Sequence, residues 1–276
     1  MPTPTSGQPA VAAASLPESP ALNPDLELAL TLADQADAMT LARFRASDLV
    51  VESKPDLSPV TEADRDVEAT LRRRLAEERP DHAVLGEEMG ETSGTGVPWR
   101  WVIDPIDGTK NYVRGIPVWG TLIALQHEGE TAVGVVSAPA LGRRWWAARG
   151  EGAFLDGDRL QVSGVADLGD ACVSYDDLPS FDRLGLADAL LALGRRVWRM
   201  RDFSDFWAHM LVAEGAIDAA VYAEPAVNLW DLAPLKVIVE EAGGRFTDLA
   251  GTATDDGDSA VSSNGLLHDE VLAAFR

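Results

Sequence analysis

Cysteine is almost absent from this chain, because Cys172 is the only one in 276 residues. An intramolecular disulfide is therefore excluded, and a single thiol is typical of proteins from reducing compartments. The sequence also lacks any stretch that approaches the ~18 apolar residues of a membrane-spanning helix. No charged segment leads into an apolar core at the N-terminus, so we expect no signal peptide and a cytoplasmic location.

Basic residues are scarce as well. The chain has 23 lysines and arginines against 45 aspartates and glutamates, which gives a net charge of −22. Such a surface repels nucleic acids and anionic membranes, and we expect neither as a partner. Residues 143–146 (Arg-Arg-Trp-Trp) combine basic and aromatic side chains, but their surroundings predict a strand with partly buried indoles. A phosphate substrate would also be repelled unless metal ions reversed the local charge.

The organisation of the chain changes near residue 23. Residues 1–22 are mostly Ala, Pro, Ser and Thr, a composition that predicts a disordered tail. Asn23 and Pro24 are typical helix-start residues, and a second helix is expected over 61–79. With 46% apolar residues, the rest of the chain is well able to form a core.

The later part of the chain alternates between short β-rich segments and helical patterns. Strands are predicted within 121–155, and helices over 186–193, 206–216 and 231–242. We therefore expect one folded region, residues 23–276, with an α+β half to about residue 150 and an α/β half after it.

The most informative segment is the nine-residue run Trp-Val-Ile-Asp-Pro-Ile-Asp-Gly-Thr, residues 101–109. Its apolar start predicts the end of a buried strand, which runs directly into Asp104 and Asp107. Pro105 fixes φ and Gly108 permits a tight turn, so the loop can direct two carboxylates and one backbone carbonyl to a single point. Hard oxygen ligands without His or Cys suit Mg2+. A helix starting at Thr109 would add an anion site, whereas an ordinary Asp-, Pro- and Gly-rich turn is the alternative.

Two further motifs flank this segment: Gly-Glu-Glu at 86–88 and Trp-Asp-Leu-Ala at 230–233. In this order, the three motifs resemble the inositol monophosphatase family of Mg2+-dependent, lithium-sensitive phosphomonoesterases. The resemblance extends from about Asp25 to the C-terminus. It implies a layered αβαβα sandwich of mixed α+β and α/β character, a small phosphate ester as substrate, and the homodimer that is common in the family.

The resemblance also implies roles for individual residues. About two or three Mg2+ ions would be held by Glu87, Asp104, the carbonyl of Ile106, Asp107 and Asp231. Asp64 and Thr109 would orient the attacking water, and the N–H groups of Gly108 and Thr109 would hold the phosphate. Because no ligand of the family pattern is missing, we expect an active enzyme rather than a metal-dependent binding protein.

Several of these residues have a purely structural alternative. Asp64 follows Thr61 by three positions, which is also the spacing of a capping box. Asp231 could be only the N-cap of its helix. Lys54 matches a lysine near the family's active site but could also be an ordinary surface residue. Glu88 either supports the metal ligands or is exposed.

The alcohol part of the substrate is expected to meet Asp205, Glu224 and Asn228. Glu224 matches the family position that contacts the alcohol, and Asp205 falls where inositol phosphatases carry a small neutral residue. Two carboxylates there suit a cationic alcohol better than a neutral polyol, because an unpaired buried acid is costly. Alternatively, Asp205 is only the N-cap of the helix predicted from Phe206.

Three further stretches, 58–61, 114–117 and 147–150, resemble the histidinol-phosphatase branch of the family. The resemblance therefore implies hydrolysis of L-histidinol phosphate to L-histidinol and phosphate, a step of histidine biosynthesis. An inositol-1-phosphatase, or a phosphatase of broad sugar and polyol specificity, is the alternative.

Overall fold

The computed structural model describes residues 23–55, 57–223 and 227–276. The disordered tail predicted for residues 1–22 lies outside them. Among the described residues, α-helices form in eight segments: α1 Pro24–Arg43, α2 Glu62–Glu78, α3 Thr109–Val113, α4 Leu178–Arg183, α5 Ala187–Gly194, α6 Asp205–Ala213, α7 Leu229–Glu241 and α8 His268–Ala273. No helix in this described part of the chain has the length and apolar character needed to cross a membrane.

Fifteen strands are found in the same described ranges: β1 Val51–Ser53, β2 Pro59–Thr61, β3 Ala83–Gly86, β4 Gly90–Thr92, β5 Trp99–Asp107, β6 Gly120–His127, β7 Glu130–Ala138, β8 Arg143–Ala148, β9 Gly152–Leu155, β10 Asp158–Arg159, β11 Cys172–Tyr175, β12 Arg199–Asp202, β13 Ala219–Tyr222, β14 Arg245–Thr247 and β15 Ala260–Ser263. A short 3-10 helix spans Leu168–Asp170. The strand predicted for residues 143–146 is confirmed as part of β8.

The strands form two main sheets. The larger has eight strands in the order β10-β9-β8-β7-β6-β5-β3-β4 and is antiparallel except for the β3–β5 pair. The smaller has five strands in the order β12-β11-β13-β15-β14, with β11 parallel to both of its neighbours. β1 and β2 form a separate two-stranded sheet.

The helices pack in layers around these sheets, and the predicted αβαβα sandwich is confirmed. Helices α1 and α2 cover one face of the eight-stranded sheet, α6 and α7 lie between the two sheets, and α4, α5 and α8 cover the outer face of the five-stranded sheet. Side chains alternate between layers as a strand requires. In β6, Leu122 packs on the α6/α7 side, whereas Ile123 packs against α1 and α2.

Local sequence signals set most helix starts. Asn23 Oδ1 accepts the N–H of Asp25 at 2.9 Å, so the predicted cap of α1 is confirmed. Helix α7 begins at Leu229 with Asn228 in the N-cap position, two residues before the predicted start at Asp231. Helix α6 begins at Asp205 instead of Phe206. Both early starts bring an aspartate into the first turn.

Helix α7 approaches the eight-stranded sheet very closely where it crosses β7. A Cβ atom at Gly134 would lie 2.5 Å from Cγ1 of Val237 and 2.8 Å from the carbonyl oxygen of Pro234. Because backbone atoms form part of this contact, the neighbours cannot move aside cheaply. Gly134 therefore sets the distance between α7 and the sheet.

The substitution Gly134→Ala is expected to lower the free energy of unfolding by about 1–3 kcal/mol, since it overpacks a buried contact. Urea unfolding followed by circular dichroism would measure the change. Gly164→Ala is the matched control, because a Cβ there meets no atom within 4 Å. Equal stabilities for the two variants would contradict the proposed close contact.

Candidate active site

The end of β5 is irregular, and this irregularity places Asp104 and Asp107 together. Asp104 pairs with Leu122 and Asp107 with Gly120, so three steps along β5 match two along β6. Side chains three positions apart in a regular strand point to opposite faces. The one extra residue is a β-bulge, which reverses this alternation. Both carboxylates can therefore face the same side of the sheet.

The residues after the bulge form a tight link into α3. Gly108 has φ 81° and ψ 34°, in the left-handed region, and occupies the N-cap position of α3. A Cβ atom on Gly108 would lie 3.1 Å from the carbonyl oxygen of Val118 and 3.2 Å from Oδ2 of Asp205. Only glycine fits this position without strain. The predicted helix start at Thr109 is confirmed.

A third carboxylate reaches the same place from the start of α7. Asp231 is the third residue of this helix and forms a capping box with Asn228. It is therefore not the N-cap residue that the sequence allowed. Carboxylate oxygens of Asp104, Asp107 and Asp231 lie within 4.8 Å of one another. The structure thus brings together three of the side chains predicted to bind a metal ion.

Each of these three carboxylates accepts one backbone N–H group. The donors are Ile106 to Asp104 at 2.9 Å, Phe206 to Asp107 at 2.9 Å, and Asn228 to Asp231 at 2.7 Å. These bonds come from three different parts of the chain and fix the direction of each carboxyl group. These backbone N–H groups therefore help to hold the cluster in place.

The electrostatics of the cluster favour a bound cation. Burial, followed by the charges of Glu87, Asp107 and Asp231, raises the pKa of Asp104 well above its usual range. Burial, followed by the charges of Asp205 and Asp231, does the same to the pKa of Asp107. A divalent cation among these oxygens would relieve both effects, and an all-oxygen donor set fits Mg2+.

Glu87 lies beside the cluster and is paired with a lysine. Its Oε1 accepts a hydrogen bond from Lys54 Nζ at 2.7 Å, and Lys54 also forms an ion pair with Glu88 at 2.7 Å. Although burial by itself lowers the pKa of Lys54, its bonds to the two glutamates raise it above the usual range. Lys54 is thus part of the site instead of an isolated surface residue, and the largely buried Glu88 side chain is not exposed.

Asp64 has both of the contacts that the sequence left as alternatives. Its Oδ2 accepts the backbone N–H of Thr61 at 2.8 Å within a complete capping box. Its Oδ1 is 3.3 Å from the Thr109 hydroxyl, which also lies 2.9 Å from the carbonyl oxygen of Ile106. A hydroxyl has one hydrogen, so Thr109 shares it between these two acceptors.

Asp205 borders the cluster in an unusual backbone conformation. Ser204 and Asp205 have φ values of 67° and 44°, although neither is glycine. Ser204 occupies the N-cap position of α6, so Asp205 is not the cap that the sequence offered as an alternative. Oδ2 of Asp205 accepts bonds from the Ser204 hydroxyl at 2.6 Å and from Asn111 Nδ2 at 3.1 Å. Strain of this kind is found mostly at functional sites.

Many of these residues line a cleft of about 570 Å³. Its lining includes Glu87, Thr109, Asp205, Tyr222, Asn228 and the aspartate cluster. Glu224 is outside the described residues. Asn111 and Tyr222 were not predicted from the sequence. Asn111 had a signal, since it lies two residues after Thr109 in α3, whereas nothing in the sequence around Tyr222 marked it.

A cleft that combines a cluster of carboxylates with a helix start has the chemistry to suit a metal ion and an anionic group. Comparison with known proteins identifies the kind of enzyme. The chain belongs to the inositol monophosphatase family, which matches residues 21–276. The resemblance inferred from the three motifs is therefore confirmed.

Among its relatives, a histidinol-phosphatase from Mycobacterium tuberculosis is 56% identical over 254 residues, covering 90% of this chain and 96% of that protein. A histidinol-phosphatase from Streptomyces coelicolor is 53% identical over 257 residues, covering 90% and 95%. Both relatives therefore match this chain over nearly their whole length.

Solved structures agree with the fold. The Thermotoga maritima IMPase has a TM-score of 0.82 at 31% identity and covers 91% of this chain and 96% of that chain. An IMPase/NADP phosphatase complexed with Mg2+ and phosphate has a TM-score of 0.78 at 26% identity, covering 90% and 93%.

The substitution Asp104→Asn should lower phosphatase turnover by at least about 100-fold, as expected for loss of a preorganised charge. The same change should stabilise the metal-depleted protein, because it removes a charge that burial and three neighbours disfavour. A pKa shift of one unit corresponds to about 1.4 kcal/mol of free energy. In a domain of this size, each kcal/mol of unfolding free energy changes Tm by about 2–4 °C.

Thermal unfolding in EDTA and in excess Mg2+, with phosphate release measured in parallel, would check both effects. Asp182→Asn is the control, because this aspartate is exposed on α4. Turnover near that of the wild type at saturating Mg2+, or a lower Tm in EDTA, would contradict the assignment.

Proposed function

We propose that this chain is a Mg2+-dependent histidinol-phosphatase, which hydrolyses L-histidinol phosphate to L-histidinol and phosphate, with residues 23–276 as its catalytic domain. The observation that carries the proposal is the carboxylate of Asp205, which lies against Gly108. After burial, it makes the largest contribution to the raised pKa of Asp107. A negative charge therefore lies close to the aspartate cluster, where an amino alcohol would place its ammonium group. High identity to two histidinol-phosphatases supports the same substrate.

The metal ligands in this proposal are Glu87, Asp104, the Ile106 carbonyl, Asp107 and Asp231, holding about two or three ions. Mg2+ bound there would neutralise the phosphoryl oxygens and lower the pKa of a water molecule that it binds. The chain's own contribution is preorganisation, because backbone N–H groups hold the three aspartates in place. Ligands that are already oriented need little rearrangement during the reaction.

Asp64 and Thr109 are proposed to orient the attacking water. Thr109 donates its hydrogen to Asp64 or to the Ile106 carbonyl, so its hydroxyl oxygen can accept a hydrogen from water and direct the water oxygen toward phosphorus. The pKa of Asp64 is raised, mainly by burial, and this shift is toward neutral pH. A protein that only bound its ligand would have no use for this pair, which argues against a purely binding role.

The phosphate is proposed to bind at the start of α3. The first N–H groups of a helix have no partner within the helix, so those of Gly108 and Thr109 are suited to bind an anion. The left-handed backbone at Gly108 turns the chain there, next to Asp107. The negatively charged ester would thus lie between these N–H groups and the metal ligands.

Asp205 is proposed to recognise the ammonium group of the substrate. In histidinol phosphate this group is on the carbon next to the ester carbon, about 3–4 Å from the ester oxygen by ordinary bond lengths. A carboxylate beside the aspartate cluster is within reach of an ammonium group at that distance from the ester oxygen. Asn228, on the wall of the cleft, has both donors and acceptors for the imidazole ring. Glu224 remains a predicted contact. An inositol ester would offer Asp205 only neutral hydroxyls. The alternative function, inositol-1-phosphatase, would therefore gain nothing from the charge of Asp205.

The proposal is tested by comparing kcat/KM for L-histidinol phosphate and inositol-1-phosphate at fixed Mg2+. We expect a preference of several hundred-fold for histidinol phosphate, which corresponds to roughly 3–4 kcal/mol of differential transition-state binding. Asp205→Asn should reduce kcat/KM for histidinol phosphate by about 10–100-fold, because a charge-assisted bond is lost. The inositol ester should be much less affected.

Asp202→Asn is the matched control for this experiment. Asp202 is exposed at the end of β12, does not line the cleft, and uses Oδ1 to accept the Ser204 N–H, which asparagine can also do. This variant should keep the wild-type preference. Comparable rates on the two esters in the wild type would favour the inositol alternative and leave Asp205 without a role in specificity.

We also propose that the enzyme is a cytoplasmic homodimer. The buried, unpaired Cys172 fits a reducing compartment. β12 is an edge strand of the five-stranded sheet, and the residue before it, Trp198, is 67% exposed. Four arginines between positions 195 and 201 are also exposed, although the chain carries a net charge of −22. A second copy of this acidic chain would complement such a basic and aromatic edge.

Light scattering after size exclusion would test the dimer. The wild type should have twice the mass of one chain, and Trp198→Glu should shift it to the mass of a single chain. Leu41→Glu is the control, because Leu41 is 46% exposed on α1, which covers the eight-stranded sheet rather than the sheet that contains β12. A monomeric wild type would overturn the homodimer, and a dimeric Trp198→Glu would overturn the role of this edge.

A further inference from the structure

A buried carboxylate on α2 has no part in the proposed reaction. The side chain of Glu68 is fully buried, and its Oε1 accepts a bond from Arg72 Nε at 2.7 Å, one turn further along the helix. A buried ion pair contributes little net stability by itself, because both charges must leave water. The position of Glu68 therefore calls for a second explanation.

That explanation lies in the turn between β3 and β4, which carries Glu87. Glu68 Oε2 accepts the backbone N–H of Glu88 at 2.7 Å, and Oε1 accepts that of Met89 at 3.1 Å. Arg72 bonds the same turn through the carbonyl oxygen of Gly90 and the hydroxyl of Thr92, the latter at 2.6 Å. The two charged side chains thus hold the turn and the strand that follows it, β4, against α2.

The two peptide groups on either side of Glu87 are fixed by different elements. Its own N–H donates to the carbonyl oxygen of Ile103 in β5 at 3.2 Å, directly before Asp104. The next N–H, that of Glu88, is held by Glu68. Because the direction of a side chain follows from its two flanking peptides, this arrangement aims Glu87 at the aspartate cluster.

Gly86 leaves the space that this contact needs. A Cβ at Gly86 would lie 2.2 Å from Oε1 and 2.4 Å from Cδ of Glu68. The carboxylate therefore packs directly against the backbone before Glu87, and no other residue at position 86 would allow it. Asp64 lies one turn before Glu68 on the same helix, so α2 contacts both the proposed water-orienting pair and the proposed metal ligand.

We propose that Glu68 is a positioning residue for metal binding, which acts through the Gly86–Gly90 turn to orient Glu87. The inference rests on the proposed metal site, but it can be tested without substrate. Glutamine at this position keeps the shape, yet it presents an N–H2 group to one of the two backbone donors and removes the charge that Arg72 pairs with.

The test is a calorimetric titration of the metal-depleted protein with Mg2+. Glu68→Gln should raise the Kd for Mg2+ by about 10–100-fold, the range expected when the support of a metal ligand is removed. Glu78→Gln is the matched control, because Glu78 pairs with Arg74 at the same i,i+4 spacing on the same helix but away from the turn. Its Kd should equal that of the wild type.

The outcomes separate this proposal from its alternatives. A folded Glu68→Gln variant with a lower Tm but a Kd within twofold of the wild type would show a merely structural role and overturn the proposal. If that variant does not fold, Glu68→Asp decides. It keeps the charge beside Arg72 but shortens the side chain, which withdraws the carboxylate from the Glu88 and Met89 N–H groups, so a Kd at least threefold higher supports the proposal and an unchanged Kd overturns it. A wild type that binds no Mg2+ would instead overturn the proposed function, and this inference with it.

Discussion

Mutual repulsion among buried carboxylates is the constraint on which the site depends. Carboxylate oxygens of Asp104, Asp107 and Asp231 lie within 4.8 Å of one another, and burial further disfavours the charges of Asp104 and Asp107. A flexible chain would separate them. This fold holds them together because two of them lie at the bulged end of β5, the third lies on α7, and each accepts its own backbone N–H group. A bound cation would recover the stability that this arrangement costs.

The layered architecture follows from the need to bring these local structures to one point. β5 is an inner strand of the eight-stranded sheet. Its bulge is held by pairing with β6 on one side, and the β3 pairing on the other side ends at Ile103, directly before the bulge. Helix α7 brings Asp231 from between the two sheets, at a distance set by Gly134. The start of α6 supplies the N–H group that holds Asp107. Elements distant in sequence therefore share one cleft, and none of them could form the cluster alone.

Local signals in the sequence predicted much of this arrangement. The caps of α1 and α2 depend on a few adjacent residues and were predicted correctly, as was the helix start at Thr109. The motifs at 86–88, 101–109 and 230–233 also identified the family. The αβαβα layering was available only through that family resemblance, because periodicity reports which side of a strand is buried but not what covers it.

What the sequence did not reveal depends on distant pairing. Pro105 is compatible with a bulge because it cannot donate to the ladder, but the position of the bulge is defined only by the register of β5 against β6. Likewise, Asn228 is the N-cap residue of α7, so Asp231 is the third residue of that helix. The Trp-Asp motif did not indicate this position. Nothing in the sequence marked Glu68, because its partners are the N–H groups of Glu88 and Met89 in the turn between β3 and β4.

Substrate choice and metal binding are physically linked in this cleft. Asp205, the proposed specificity residue, is held in a left-handed backbone conformation that costs about 1 kcal/mol or more for a residue that is not glycine. The next residue, Phe206, donates its N–H to Asp107, one of the clustered carboxylates. That bond stabilises the strained turn and orients Asp107 at the same time. A change in the β12–α6 connection would therefore disturb the proposed metal ligand as well as the proposed contact with the alcohol. The two proposed roles together predict that specificity is best altered through the side chain at position 205, with the backbone around it left unchanged.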